Sequence, residues 1–461
     1  MARSQTLFVC RQCGGEALKW QGQCSHCKAW ETLERITGVR AQLARPAAVR
    51  SEPLDSVSLK AASLPRLSLG SAELDRVFGG GLYPGSVTLL GGEPGIGKST
   101  LLLQVAASLS QQMPVVYASG EESLAQVAQR AQRLGLDGAR LDLIADGSLD
   151  AILQRATERG RGLLIIDSIQ AMQLEAVESN AGSVAQLREC TAALVRFAKS
   201  SAAGGSAVII VGHVTKDGGI AGPKLLEHMV DTVLYFTSDT GSRFRLLRAT
   251  KNRFGRVNEL GFFAMNEAGL KEVKNPSAIF LARHSQPVPG SVVMVARDGG
   301  RPLLIEVQAL VDRARSSQPR RVAQGVDSNR LSMLLAILSR HADLSLADYD
   351  VFVNLVGGLE IAETATDLPL AVALASSLRA RALPQSLVVF GELGLTGEVR
   401  PVAHGEERLR ELAKLGFTQV LLPKDNLPRD GSNPDGLGSL KLMGVTSVGE
   451  ALAAAMTIVR S

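Results

Sequence analysis

A chain of 461 residues exceeds one ordinary domain, so two substantial domains and a smaller module are expected. Apolar content of 45% with 4% aromatic residues excludes a disordered polymer and points to aliphatic cores, while a net charge of +5 permits an acidic polymer as partner without requiring one. No apolar run reaches the ~18 residues of a membrane span and the start lacks the apolar core of a secretion signal, so a cytoplasmic protein with no membrane contact is expected; five cysteines at this length exclude a disulfide scaffold.

The first element is a cysteine cluster, Cys10-x2-Cys13 followed by Cys24-x2-Cys27. Each pair sits on a tight turn that aims two thiolates at one ion, and two pairs supply the four soft ligands of a closed tetrahedral zinc site. A redox dithiol needs only one pair. His26, between two ligands, is expected outside the ligand set. Structural zinc contributes on the order of 10–16 kcal/mol, enough to fold a module too small for its own core. Residues 1–36 therefore read as a zinc finger. Residues 37–64 mix Pro, Ser, Ala and Arg without periodicity and read as a linker.

A nucleotide-binding core follows over 65–274. An apolar strand at Val87–Leu90 leads into a glycine loop and an aliphatic helix, and Gly92, Gly97, Lys98 and Ser99 satisfy G-x-x-x-x-G-K-S. Backbone amides of Gly92, Glu93, Pro94, Gly95, Ile96 and Gly97 are placed to wrap phosphate, except that Pro94 has no N–H to offer. Lys98 then reaches the β and γ oxygens, Ser99 ligates magnesium, and Thr100 completes the ATP-binding run. Later strands are expected at 114–119, 161–168 and 206–213, separated by helical stretches, which implies a mostly parallel sheet. Asp167 ends one strand, where a magnesium-directed carboxylate belongs; the alternative is a helix cap. Glu121 and Glu122 end another. Glu121 is the better candidate for polarising the attacking water, because it lies closer to the strand end. His213 ends a third strand, within reach of a γ-phosphate. After "DTVLYF" the pattern turns to antiparallel hairpins, and "TKNRFG" puts Lys251 and Arg253 just past the last core strand. By themselves these two cations read first as a solvated strand end, with a place in the machinery as the alternative. Residues 275–461 are again mixed α and β, with a basic stretch that holds Arg313, Arg315, Arg320, Arg321 and Arg330.

The order "GGGLYPGS", phosphate loop, "SGEES", "LLIIDS" and "GH" resembles the RecA-type ATPase core. With the four-cysteine head, "KNRFG" and the C-terminal domain, nearly the whole chain resembles the RadA (Sms) family of bacterial DNA repair proteins. That resemblance implies an α/β, RecA-like P-loop core followed by a Lon protease-like α+β domain. It also implies a hexameric ring with ATP between subunits, to which Lys251 and Arg253 contribute from the neighbour. It further implies action with RecA recombinase on single-stranded and branched DNA. Lys216 and Lys224, in "VTKDGGIAGPKLLEH", occupy the position of a channel-facing loop and are expected on DNA phosphates; the counterpart loop 175–186 carries no Lys or Arg. In the Lon-like domain Thr366 is the nearest match to a nucleophile, and Glu406 stands where the activating lysine belongs. A carboxylate cannot serve as that amine base, so a non-proteolytic domain is expected. The expected function is a DNA-dependent ATPase motor, with Zn2+, Mg2+ and ATP as cofactors. The alternatives are a Lon-like protease and a non-motor accessory that uses ATP as an assembly switch.

Overall fold

The computed structural model describes residues 6–10, 16–17, 19–25, 27–37, 66–200, 205–213, 223–238, 243–281, 286–298, 300–357, 361, 363–428, 437–438 and 440–458. The chain divides into two compact units, Met1–Val273 and Lys274–Ser461.

At the start of the first unit, β1 (Thr6–Cys10) pairs antiparallel with β2 (Glu16–Ala17) and β3 (Leu33–Thr37). Among the described residues the apolar core of this ribbon is Cys10, Cys24 and Leu33, with Phe8 and Ala17 packed against them and Thr32 buried beside them. So small an apolar core cannot hold a fold without a further tie.

The rest of the unit is a nine-stranded sheet. Its elements in chain order are α1 (Ala72–Val77), β4 (Val87–Gly92), α2 (Lys98–Leu109), β5 (Val115–Ser119), α3 (Leu124–Arg133), β6 (Asp142–Ala145), α4 (Leu149–Arg159), β7 (Leu163–Asp167), α5 (Val184–Lys199), β8 (Ala207–His213), α6 (Pro223–Met229), β9 (Thr232–Thr237), β10 (Phe244–Asn252), β11 (Leu260–Asn266) and β12 (Gly269–Glu272). Strand order is β12-β11-β10-β9-β4-β8-β7-β5-β6. From β9 to β6 every neighbour is parallel, and from β9 outward through β12 every pairing is antiparallel. β4, β5 and β7 are buried along their whole length, as expected for strands covered on both faces. Leu101, Leu103 and Val105 of α2 pack on one face; Leu149 and Ile152 of α4 with Leu187 and Leu194 of α5 pack on the other. Serine side chains at positions 123, 148 and 183 accept from amides in the first turns of α3, α4 and α5 and fix where those helices start. β6 is a correction: it lies inside a stretch read as helical, because a four-residue, half-buried edge strand has too little periodicity to register.

The second unit holds α7 (Ser277–Phe280), β13 (Ser291–Asp298), β14 (Arg301–Arg313), β15 (Arg321–Gln324), α8 (Ser328–His341), β16 (Tyr349–Leu355), α9 (Asp367–Leu378), β17 (Leu387–Val389), β18 (Glu392–Leu393), β19 (Val399–Arg400), α10 (Gly405–Lys414), β20 (Gln419–Pro423), β21 (Lys441–Val445) and α11 (Val448–Ile458). Seven strands form a mixed sheet in the order β15-β16-β14-β13-β17-β20-β21, and β18 pairs with β19. α9 is buried from Asp367 to Ser376, which is why its sequence is apolar on every side.

Candidate functional site

β4 delivers the chain at Gly92 and α2 begins at Lys98, so the intervening loop crowns the helix N-terminus. Gly92 has φ +154°, and a Cβ there would sit 2.7 Å from the Phe236 carbonyl oxygen; Gly97, at φ +116°, would put a Cβ against Met265. Side chains other than hydrogen are therefore excluded at the two ends of the loop. No side chain caps α2 and its first turn carries no acid, which leaves its amides and dipole open to an anion. Lys98 is buried, and its Nζ donates to the carbonyls of Gly92 (2.8 Å) and Glu93 (2.9 Å). Burial pushes its pKa down, while Asp167 and Glu121 oppose that shift. Arg245 Nε donates to the Ile96 carbonyl at 3.1 Å, a brace on the loop that its position on a hairpin strand did not reveal in the sequence.

Three further strand ends meet at the same, carboxyl end of the parallel strands. β4 pairs Gly92 with His213, and β5 pairs Ser119 with Asp167. Asp167 is nearly buried; its Oδ2 accepts from the Tyr117 hydroxyl at 2.5 Å. Glu121 Oε1 accepts from Ser168 Oγ at 2.5 Å and lies 3.4 Å from His213 Nε2. His213 Nδ1 is buried and has no hydrogen-bond partner among the described residues. Glu122, in contrast, is tied to Arg130, and its amide donates to Ser119 Oγ. The two neighbouring acids thus differ in their surroundings, with Glu121 facing the loop's lysine and His213. The oxygen donors of Asp167 and Ser99, beside an anion-binding loop, are the donor set of a hard divalent cation, and Mg2+ with a nucleotide fits here. Ser168 and Tyr117 were missed from the sequence, because nothing in "PVVYAS" or "IIDS" announces a partner some fifty positions away.

Lys251 and Arg253 lie elsewhere. β10 runs against β9, so Asn252 pairs with Thr232, and Thr232 pairs with Thr88 near the start of β4. The phosphate loop leaves β4 at its other end, beyond Gly92. Four residues of strand separate the two levels, about 13 Å at ~3.3 Å per residue. Lys251 Nζ donates to the carbonyls of Glu227 (2.7 Å) and His228 (3.4 Å) at the end of α6; burial, and then Arg253, lower its pKa, with Asp231 and Glu227 opposing. Arg253 Nη1 is 3.1 Å from Asp231 Oδ1, which also lies 3.4 Å from Lys199 Nζ, and the other Asp231 oxygen accepts from the Val87 amide. The residues between and after the cations do different work. Asn252 Oδ1 accepts from the Phe254 amide, the Phe254 ring stacks on Tyr83 at 4.4 Å, and Gly255 packs so closely on Gly79 that a Cβ would sit 2.8 Å or less from it. The turn is clamped onto "GGGLY", and Arg253 is left half exposed.

Of the candidate DNA loops, residues 214–222 with Lys216 lie outside the described residues, and Lys224 is described only as a position in α6. Loop 175–186 ends earlier than read, since α5 starts at Val184. Its hub is the buried Gln186, whose amide group accepts from Leu174 N and donates to the carbonyls of Leu174, Val177 and Ser179. The basic stretch is largely consumed within its own unit: Arg320 forks onto Asp350, Arg321 donates to the carbonyls of Leu346 and Tyr349, and Arg330 pairs with the fully buried Asp367. Arg313 and Arg315 remain exposed. Thr366 is buried with its hydroxyl donating to the Glu363 carbonyl, whereas Glu406 is exposed beside Arg410.

In the ribbon, the sulfurs of Cys10, Cys24 and Cys27 lie within 4.8 Å of one another, and Cys10 Sγ is 3.6 Å from Cys27 Sγ. Four thiolates about 2.3 Å from a tetrahedral zinc stand about 3.8 Å apart, so the spacing fits that ion. Cys13 and His26 lie outside the described residues.

Three family models match: an AAA domain over residues 58–219, a rubredoxin metal binding domain over 8–35, and subunit ChlI of Mg-chelatase over 299–426. The chain is 51% identical to the DNA repair protein RadA of Escherichia coli strain K12, across 96% of this chain and 97% of that one. It is 50% identical to the DNA repair protein RadA of Pseudomonas aeruginosa, across 98% and 99%. The crystal structure of the RadB recombinase covers 45% of the chain at 24% identity and a TM-score of 0.37, with all of that chain covered. With an α/β, RecA-like P-loop core, an N-terminal zinc ribbon and a Lon-like second domain, the chain belongs to the RadA family of DNA repair proteins.

Proposed function

We propose that this chain is a DNA-dependent ATPase of recombination and repair, a head-to-tail ring that moves along single-stranded or branched DNA. By its family resemblance the ring is a hexamer that extends or unwinds recombination intermediates alongside a RecA-type recombinase. The observation that carries the reading is the placement of the phosphate loop and the Lys251/Arg253 pair at opposite strand ends of one sheet. Cations that far from their own nucleotide are placed to serve the next subunit's instead, and a heterologous contact of that kind closes into a ring when the rotation between subunits permits.

In this reading ATP lies on Gly92–Thr100, with Lys98 on its β- and γ-phosphates and Ser99 and Asp167 holding Mg2+. The bound ion supplies charge neutralisation on the phosphate oxygens. Glu121 orients the attacking water, His213 links it to the γ-phosphate, and Lys251 and Arg253 of the neighbour meet the charge that develops there. Glu122 is set aside because Arg130 already neutralises it. Lys216 and Lys224 bind DNA phosphates without reading bases. Proteolysis has no part in it: Thr366 has no amine base beside it in Glu406, which stands exposed on Arg410.

The test is strand displacement on forked DNA with ATP. ATP-dependent displacement, with hydrolysis stimulated by single strands, is expected. ATP binding without any movement of DNA strands would leave an assembly switch in its place, and degradation of casein would restore the protease.

A further inference from the structure

Tyr117 is 1% exposed in the middle of β5, among aliphatic neighbours where phenylalanine would pack as well. Burying a phenol among them is unfavourable unless its hydroxyl finds a partner. The partner is Asp167: the register of β5 against β7 sets Tyr117 opposite Ile165, two residues before Asp167, and the hydroxyl donates to Asp167 Oδ2 at 2.5 Å. Oδ1 of the same carboxylate has no protein hydrogen-bond partner among the described residues, and Lys98 stands close enough for their charges to be felt. A carboxylate held at one oxygen has its other oxygen aimed.

We infer that Tyr117 is a positioning residue, which fixes Asp167 so that its second oxygen faces the Mg2+ of the bound nucleotide. The inference rests on the reading of this loop as the ATP site. Partners of this kind, one step behind the groups that face a metal, typically change metal affinity or activity by roughly 10–100-fold when removed.

The experiment is equilibrium binding of a fluorescent ATP analogue while Mg2+ is titrated, with no turnover read. Tyr117→Phe is expected to raise the Mg2+ midpoint about tenfold, to leave analogue binding in EDTA unchanged and to melt close to the parent. Asp167→Asn and the double variant complete a cycle. If Tyr117 acts through Asp167, the double variant has the midpoint of Asp167→Asn alone, a non-additivity that also serves should Tyr117→Phe lose stability. An unchanged midpoint in Tyr117→Phe overturns the inference. So does an equal loss of binding with and without Mg2+, which marks a structural role, or midpoints that add in the double variant. A parent protein whose analogue binding ignores both Mg2+ and Lys98→Ala overturns the ATP-site reading itself, and the inference with it.

Discussion

Replacing Arg253 by alanine separates the two readings of its motif. Within its own subunit the change is modest: Arg253 is half exposed, the buried Asp231 keeps Lys199 and the Val87 amide, and the loss of a pair with one exposed partner should cost about 1 kcal/mol. The clamp through Asn252, Phe254 and Gly255 does not involve the guanidinium. The melting temperature should therefore move by only a few degrees and ATP should still bind. Hydrolysis should fall by roughly 10³–10⁵, the range for an arginine acting on a neighbour's phosphoryl group. Mixing Arg253→Ala subunits with Lys98→Ala subunits gives the decisive number. A working site needs an intact loop on one side and an intact Arg253 on the other, so at a mixing fraction x activity follows x(1−x) and peaks near about a quarter of the parent's in a head-to-tail ring. Subunit exchange is verified first with tagged chains. Proven mixed rings that stay flat across x, or full activity of Arg253→Ala alone, would refute the reasoning and return the pair to a solvated strand end.

Zinc should be present at one ion per chain, and a mercurial that strips it should unfold the ribbon, read as a rise in amide exchange along β1 and β3; exchange there indifferent to zinc removal would count against the site. Cys190 is buried with its thiol pKa pushed up to about 12, so at pH 8 alkylation should be on the order of 10³ slower than for a free thiol; because the folded value is the higher one, its share of stability is whole below about pH 8.5 and drains away as pH rises toward 12, and rapid labelling of native protein would contradict this. Gln186→Ala removes the hub of loop 174–179 and should cost about 1–3 kcal/mol, with faster amide exchange confined to that loop; unchanged exchange there would show that the loop is held by other contacts.

What could be read in the sequence is what short spacing determines. Two Cys-x-x-Cys turns, and a glycine loop between an apolar strand and a helix, specify their chemistry within a few residues, because backbone geometry at that range leaves few arrangements open. The parallel sheet was legible for a similar reason: strands buried on both faces are apolar throughout, and β4, β5, β7 and β8 announce themselves. β6 and β15 did not, being short and at sheet edges. Side-chain partners across the fold were also out of reach. Tyr117 with Asp167, Ser168 with Glu121, and Arg320 and Arg330 with Asp350 and Asp367 are joined across 30 to 50 positions. Their pairing depends on which strands lie side by side. The sequence therefore offered Arg320, Arg321 and Arg330 as a nucleic-acid surface, whereas the fold ties all three to partners of their own unit, Arg321 and Arg330 half-buried and Arg320 still exposed. "TKNRFG" combines both cases. Its two cations, its glycine and the antiparallel turn from β9 into β10 are evident in the sequence, but that Lys251 and Arg253 stand at the strand ends away from their own phosphate loop is decided by β9 lying parallel beside β4, a pairing that the tertiary structure sets and no local pattern encodes.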